Sequence, residues 1–199
     1  FSKNNKLGMI FVSDWMREKF VQNMGFYPEN FATTIIIPNA VNSVFINQTY
    51  SPKKGNLLAD CVTIRPFDDS KYALDLVLDI AKANPKKTFH IYGKGKYFEH
   101  NECPQNVTIF HKFILQKDIA ELLNNYSCAV MPTRFDSQGV MMCEMATFGI
   151  PVITTNFTVC IEMLKEFENV TFFDLNDFSQ NIEFINRGKI ANKTKFNSY

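Results

Sequence analysis

The sequence predicts an α/β chain built on an open, doubly wound parallel sheet. Three observations predict it. Short apolar, β-branched runs recur after residue 57, each the length of one strand. They read as strands buried on both faces. Helical spacing fills most of the gaps between them, and strand–helix alternation implies right-handed crossovers between parallel strands.

The elements follow in order. Met9–Val12 reads as a strand, and Ser13 as the N-cap of a helix over Asp14–Met24 that Gly25 closes. Ile35, Ile36 and Ile37 form a second β-branched run, stopped by Pro38-Asn39. Residues 38–56 carry Pro, Asn, Ser and Gly with little periodicity and read as a linker. Six strand runs come next: Cys61–Arg65, Thr88–Tyr92, Val107–Phe110, Cys128–Met131, Val152–Thr155 and Val170–Phe173. Ala73, Leu76, Val77, Ile80 and Ala81 mark one helix between them, and Ile119, Leu122, Leu123 and Tyr126 mark another. A third runs from about Gly139 to Phe148 and stops at Gly149-Ile150-Pro151.

Composition narrows the partners. The chain has 199 residues, 46% hydrophobic and 21% charged, which suits one globular domain or a domain plus a fragment. Lys plus Arg number 21 and Asp plus Glu 20, a net charge of +1. Such a balance lacks the basic surface that nucleic-acid binding needs. No apolar run is long enough for a membrane-spanning helix. The five cysteines are odd in number, and no pair has the spacing of a zinc or redox motif. Cys61 and Cys128 read as buried small hydrophobes, and a reduced, cytosolic compartment is expected. His100 and Cys103 have a metal-like gap but no second pair, so no metal is expected. Six Asn-x-Ser/Thr triplets, beginning at Asn47, Asn106, Asn125, Asn156, Asn169 and Asn192, are either glycan acceptors or chance in an Asn-rich chain, and the second is expected. The start at Phe1 and the ending NKTKFNSY read as a piece of a larger protein.

Ligands of open parallel sheets bind past the carboxyl ends of the strands. The loops that matter are therefore 65–71, 92–97, 110–116 and 132–139. In the first, Arg65 ends a strand and Lys71 opens the next helix, and both suit phosphate oxygens. The pair is either solvated or serves an anion. A cation at a helix start opposes the macrodipole, which favours the second reading. In the next loop, Gly93 and Gly95 follow a strand, where backbone can approach a ligand closely, but a lone Gly-x-Gly is a weak signal. In the last, Gln138, Gly139 and Val140 lead into a helix, and their free N–H groups would make a phosphate site. Glu144 is five residues further on; its carboxylate is expected to reach a ribose, unless it makes a salt bridge. Asp136, in the loop itself, is placed to reach a sugar beyond the phosphates.

The stretch RFDSQGVMMCEMATFGIPVITT resembles the signature of the retaining GT-B nucleotide-sugar glycosyltransferases, glycosyltransferase family 4 or glycosyl transferases group 1. That signature is an acid, seven residues, then Glu, followed by a small-residue helix end and Gly-x-Pro-Val. Asp136 here replaces the usual first Glu, and Glu144 is the second acid. IIIPNAVNSVF, residues 35–45, resembles the family's hinge, with Ala40 and Asn42 in place of Gly and Asp. Arg65 and Lys71 resemble its donor-phosphate pair at a spacing one residue longer, and His90-Ile91-Tyr92-Gly93-x-Gly95 resembles its next strand and turn. The resemblance covers roughly residues 9–175.

It implies a Rossmann-like domain, the C-terminal, donor-binding half of a GT-B enzyme. Arg65 and Lys71 would hold the donor diphosphate and stabilise the leaving nucleotide. Amides near Gly139 and Val140 would help, Glu144 would bind ribose, Asp136 would orient the transferred sugar, and His111 and Phe113 would lie beside the base. No metal or other cofactor is implied. Residues 1–37 would be the remnant of the N-terminal, acceptor domain, 38–56 the hinge, 57–175 the donor domain and 176–199 a tail. The partners would be a nucleoside-diphosphate sugar, UDP- or GDP-type, and a glycan or lipid-linked acceptor held by the absent N-terminal part. The whole enzyme would work in bacterial surface polysaccharide synthesis, in the cytoplasm with room for peripheral association at the inner membrane face, and this piece alone would transfer little. A non-catalytic module on the same half-fold, or a sugar-nucleotide epimerase or phosphorylase, is the competing expectation.

Overall fold

The computed structural model describes residues 8–25, 33–53, 55–175 and 192–196. Two sheets carry the chain. The smaller pairs β1 (Gly8–Phe11) with β2 (Thr33–Ile36) in parallel, joined through α1 (Asp14–Met24). Its caps are the expected ones: Ser13 Oγ accepts from the Met16 amide, and Gly25 closes the helix at φ 65°.

The larger sheet has six parallel strands: β3 (Ala59–Ile64), β4 (Phe89–Gly93), β5 (Val107–His111), β6 (Tyr126–Val130), β7 (Val152–Thr155) and β8 (Val170–Phe173). Their spatial order is β5-β4-β3-β6-β7-β8. The chain moves outward from β3, then returns to lay β6 on the other side of it. The ends of β3 and β6 therefore flank a topological switch point, where doubly wound sheets bind ligands. Residues alternate along these strands between two cores. Tyr92, Tyr126, Ala129 and Val152 face α5 (Gln116–Leu123), α6 (Val140–Phe148) and α7 (Thr158–Leu164). Cys61, Phe89, Ile91, Cys128 and Val130 face α3 (Leu74–Ala83). Cys61 and Cys128 are buried, as expected, with their sulfurs 3.5 Å apart. A single helical turn, α4 (Tyr97–His100), follows β4.

The structure departs from the expectations at three elements. Residues 38–56 are not bare linker: Ser43–Asn47 forms α2, capped by Asn42, and Val41 and Phe45 are fully buried. Five residues are too few to display helical periodicity. Tyr126 starts β6 rather than extending α5, which ends at Leu123 before Asn124-Asn125. Lys71 does not open α3. It lies in a 3-10 turn, Ser70–Tyr72, separated from α3 by Ala73 in the left-handed region at φ 50°.

Two of the Asn-x-Thr asparagines hold loops together. Asn106 Nδ2 donates to the carbonyls of Ala81, Asn84 and Lys87, and Asn169 Nδ2 to those of Ala146 and Ile150. The expected tail falls mostly outside the described residues. Within 192–196, Lys193 Nζ donates to Phe45 O, and Phe196 stacks on Phe167. No helix among the described residues is long and apolar enough to cross a membrane.

Candidate donor cleft

At the switch point the structure opens a cleft of about 450 Å³. Arg65 and Pro66 line one wall, Tyr92, Gly93 and Lys94 another, and Lys112, Phe113, Ile114, Gln116 and Met141 the rest. Three of the four loops named from the sequence thus supply its walls.

Arg65 leaves the end of β3 and is 5% exposed. Its Nη2 reaches across to the carbonyl of Met131 at 3.3 Å, bridging the ends of β3 and β6. Its Nε is buried and has no acceptor among the described residues. Burial lowers the pKa of this guanidinium from its ordinary value, while the charge of Asp136 and the nearby Tyr72 work the other way. A buried guanidinium with an unused donor is costly unless an acceptor arrives.

Lys71 shares an aromatic plate with it. Its Nζ lies 4.8 Å from the centroid of Tyr72, and the Arg65 guanidinium carbon lies 5.1 Å from the same centroid. The two cations therefore meet at one side chain, despite the longer spacing. Lys71 is half-buried, and its ammonium rests on Asp69 at 3.2 Å. That hydrogen bond raises its pKa. The macrodipole argument for Lys71 falls away, because Lys71 precedes α3 by a separate turn and has Asp69 as counterion.

The expected free amides at α6 are corrected too. Asp136 Oδ1 accepts from the N–H groups of Gln138 and Gly139, at 3.2 and 2.9 Å. Only Val140 and Met141 at this helix start donate to no described residue. Gly139 serves the backbone: it is at φ 72°, and a Cβ there would lie 2.2 Å from the Met142 methyl. The Gln138 side chain is occupied as well, clamping the amide and carbonyl of Asn39 at 2.6 and 2.9 Å.

Glu144 is 1% exposed on α6. Its Oε1 accepts from the Asn42 amide at 3.1 Å and from Gln116 Nε2 at 2.7 Å. The salt-bridge alternative is therefore not what the structure contains. Burial raises this carboxyl's pKa, and the two hydrogen bonds only partly offset that. Its second oxygen accepts from no described residue; Glu144 is not among the cleft-lining residues, whereas its partner Gln116 is. Sequence reasoning missed Gln116, whose role depends on a partner 28 residues away. It also missed Tyr72, Lys94, Lys112 and Met141.

Gly93 lines the cleft, but its lack of a side chain serves packing: a Cβ there would lie 1.9 Å from the Arg65 carbonyl oxygen. Phe113 projects at the cleft rim, 73% exposed. His111 ends β5 with its ring 5.5 Å from Phe67 and is not among the lining residues. Val140 is half-buried; its neighbour Met141 meets the cleft instead.

The cleft combines an apolar interior, the buried Arg65 and an aromatic rim, suited to an anionic ligand with a flat apolar body; Lys71 is not among its lining residues but shares the lining Tyr72 with Arg65. Residues 62–186 match the family model described as glycosyl transferases group 1. Among solved structures, the chain is similar to WaaG, a glycosyltransferase involved in lipopolysaccharide biosynthesis (16% identity, TM-score 0.62, 84% of this chain and 49% of that one). It is similar to a glycosyltransferase from Rickettsia africae ESF-5 (14% identity, TM-score 0.63, 85% and 50%). It is also similar to a point mutant of S. aureus TarM in complex with fondaparinux, alpha-GlcNAc-glycerol and UDP (17% identity, TM-score 0.62, 86% and 34%). At these identities the likeness is one of fold, and the chain spans between a third and a half of those proteins. No curated protein sequence matches the chain.

Proposed function

The chain belongs to the glycosyl transferases group 1 family, and from that premise we propose that it is the donor-binding part of a retaining enzyme that moves a hexosyl group from a nucleoside-diphosphate sugar to a glycan or lipid-linked acceptor. The acceptor would be held by an N-terminal domain of which residues 1–37 are the last part, with 38–56 as hinge. The observation that carries the reading is Arg65: buried at the switch point, with an unpaired Nε, beside a second cation on the same aromatic ring.

In this reading Arg65 Nε and Lys71 Nζ take oxygens of the diphosphate. As the bond from the sugar's anomeric carbon to the diphosphate breaks, negative charge grows on the leaving group, and a cation preplaced in a partly dry cleft stabilises it more than water would. Lys71 must first leave Asp69. The amides of Val140 and Met141 add positive potential from the start of α6. Glu144 offers its open oxygen to a ribose hydroxyl, with Gln116 beside it, and Phe113 and Lys112 flank the base. Asp136 faces the transferred sugar with its second oxygen while its first holds the loop. The whole protein would act in surface-glycan synthesis at the cytoplasmic face of a bacterial membrane.

A thermal-shift series with UDP, GDP and their sugar conjugates tests the donor assignment. Stabilisation that follows ligand concentration is the expected result, since binding to the native state adds to its stability. No response to any nucleoside diphosphate overturns it. One observation favours a second reading, a nucleotide-binding module without transfer: Asp136 is already engaged in capping its own loop. Product analysis with the complete protein separates the two.

A further inference from the structure

Lys71 can serve a diphosphate only if its turn is held against the cleft, and the local backbone does not favour that position. The turn is displaced from α3 by Ala73, the one non-glycine residue with positive φ among the described residues. Such a conformation persists only where surrounding contacts over-determine it. Those contacts come from the loop after β6. The Lys71 carbonyl accepts from the Arg134 amide at 2.9 Å and from Thr133 Oγ1 at 3.0 Å. The same Arg134 then reaches past Ala73 to the first turn of α3. Its Nη1 and Nη2 donate to Asp75 Oδ1 and Oδ2 at 2.7 and 2.6 Å, a two-pronged fork. Thr133 is itself tied to β7, its carbonyl accepting from Thr155 Oγ1 at 2.6 Å.

Both members of the fork are substantially exposed, at 40% and 48% of their side chains. An exposed ion pair of this kind contributes little to folding stability. What it does contribute is geometry: the fork spans the strained residue and joins the loop that carries Asp136 to the helix that follows Lys71. We propose that Arg134 and Asp75 are positioning residues of the donor site, a clasp that holds the Lys71 turn over the cleft by fixing the Lys71 carbonyl between the loop and α3. The clasp touches no ligand and acts only through Lys71. This inference rests on the donor-site reading, and its test separates the two.

The test is a double-mutant cycle on the full chain, read by calorimetric titration with UDP and GDP and with uridine and guanosine. Arg134→Gln keeps the backbone donor and removes the fork. It is expected to weaken diphosphate binding by about tenfold, within the range of coupled neighbours, and to leave nucleoside binding unchanged. In a Lys71→Ala background the same substitution is expected to add no further loss. Asp75→Asn should reproduce the effect, and the swapped pair Arg134→Asp with Asp75→Arg should recover most of the affinity; far-UV spectra and melting verify that each variant is folded. If Arg134→Gln weakens nucleoside and diphosphate alike, or its loss multiplies with that of Lys71→Ala, the clasp is overturned while the donor site stands. If the unaltered chain binds neither diphosphate, the donor reading falls and the clasp with it.

Discussion

Arg65→Met is expected to move stability and ligand binding in opposite directions. The guanidinium is buried, and among the described residues one nitrogen has no acceptor and the one hydrogen bond made is long, at 3.3 Å to Met131 O. An unpaired donor on a buried charged group costs about 1–3 kcal/mol or more. Against that, the substitution loses one modest hydrogen bond, about 0.5–1.5 kcal/mol, and a cation–π contact with Tyr72, about 0.5–2 kcal/mol. Replacing the guanidinium by an apolar chain of similar volume removes the desolvation penalty of the buried ion, on the order of several kcal/mol with the unpaired donor included. The balance favours the variant by about 1 kcal/mol, roughly 2–4 °C in melting temperature for a chain of this size. Melting without ligand, followed by melting with UDP or GDP, reads both effects. The free variant should melt higher than the parent, and the nucleotide should no longer raise its melting point. A variant that melts several degrees lower would show that Arg65 is a structural tie between β3 and β6. That result would refute the claim that it is held for an anion.

Other substitutions probe the remaining walls. Gly93→Ala would place a Cβ 1.9 Å from the Arg65 carbonyl and 2.4 Å from the Phe67 ring, so a loss of roughly 1–3 kcal/mol is expected in chemical denaturation; an unchanged midpoint would mean that the Arg65 loop is soft. Glu144 has a carboxyl pKa raised by burial above its ordinary 4.5. Its ionisation therefore disfavours the native state, and that penalty grows as pH rises above 4.5 through the raised native value. Glu144→Gln should gain stability relative to the parent across that window and bind nucleotide less tightly; a gap independent of pH would contradict the burial argument. Asp69→Asn keeps an acceptor for the Lys71 amide but removes the charge that holds its ammonium. Titration should find tighter diphosphate binding, whereas weaker binding would place Asp69 among the ligand contacts.

Much of the fold was legible because it is set by local rules. Strand–helix alternation predicted the parallel sheet, and Ser13, Gly25 and Gly149 marked helix ends where the structure has them. The switch-point rule alone selected three of the loops that line the cleft. Where the reading failed, the deciding partner was distant in sequence or the element was short. Phe45 belongs to a five-residue helix, too brief for a periodic pattern. Tyr126 continues the spacing of α5, yet its hydroxyl pairs with that of Tyr92 at 2.7 Å across the sheet. Asp136 stands where an acid should, but its side chain turns onto the amides that were expected to be free. Gln116 gains meaning only from Glu144, which the fold brings to it.

The most direct measurement is a crystal structure of the chain soaked with UDP and with GDP. Diphosphate oxygens are expected within hydrogen-bonding distance of Arg65 Nε and Lys71 Nζ, with Lys71 released from Asp69. The ribose is expected against Glu144 and Gln116, and the base beside Phe113. A nucleotide bound elsewhere, or a diphosphate in the cleft that leaves Arg65 Nε unpaired, would contradict the donor-site assignment.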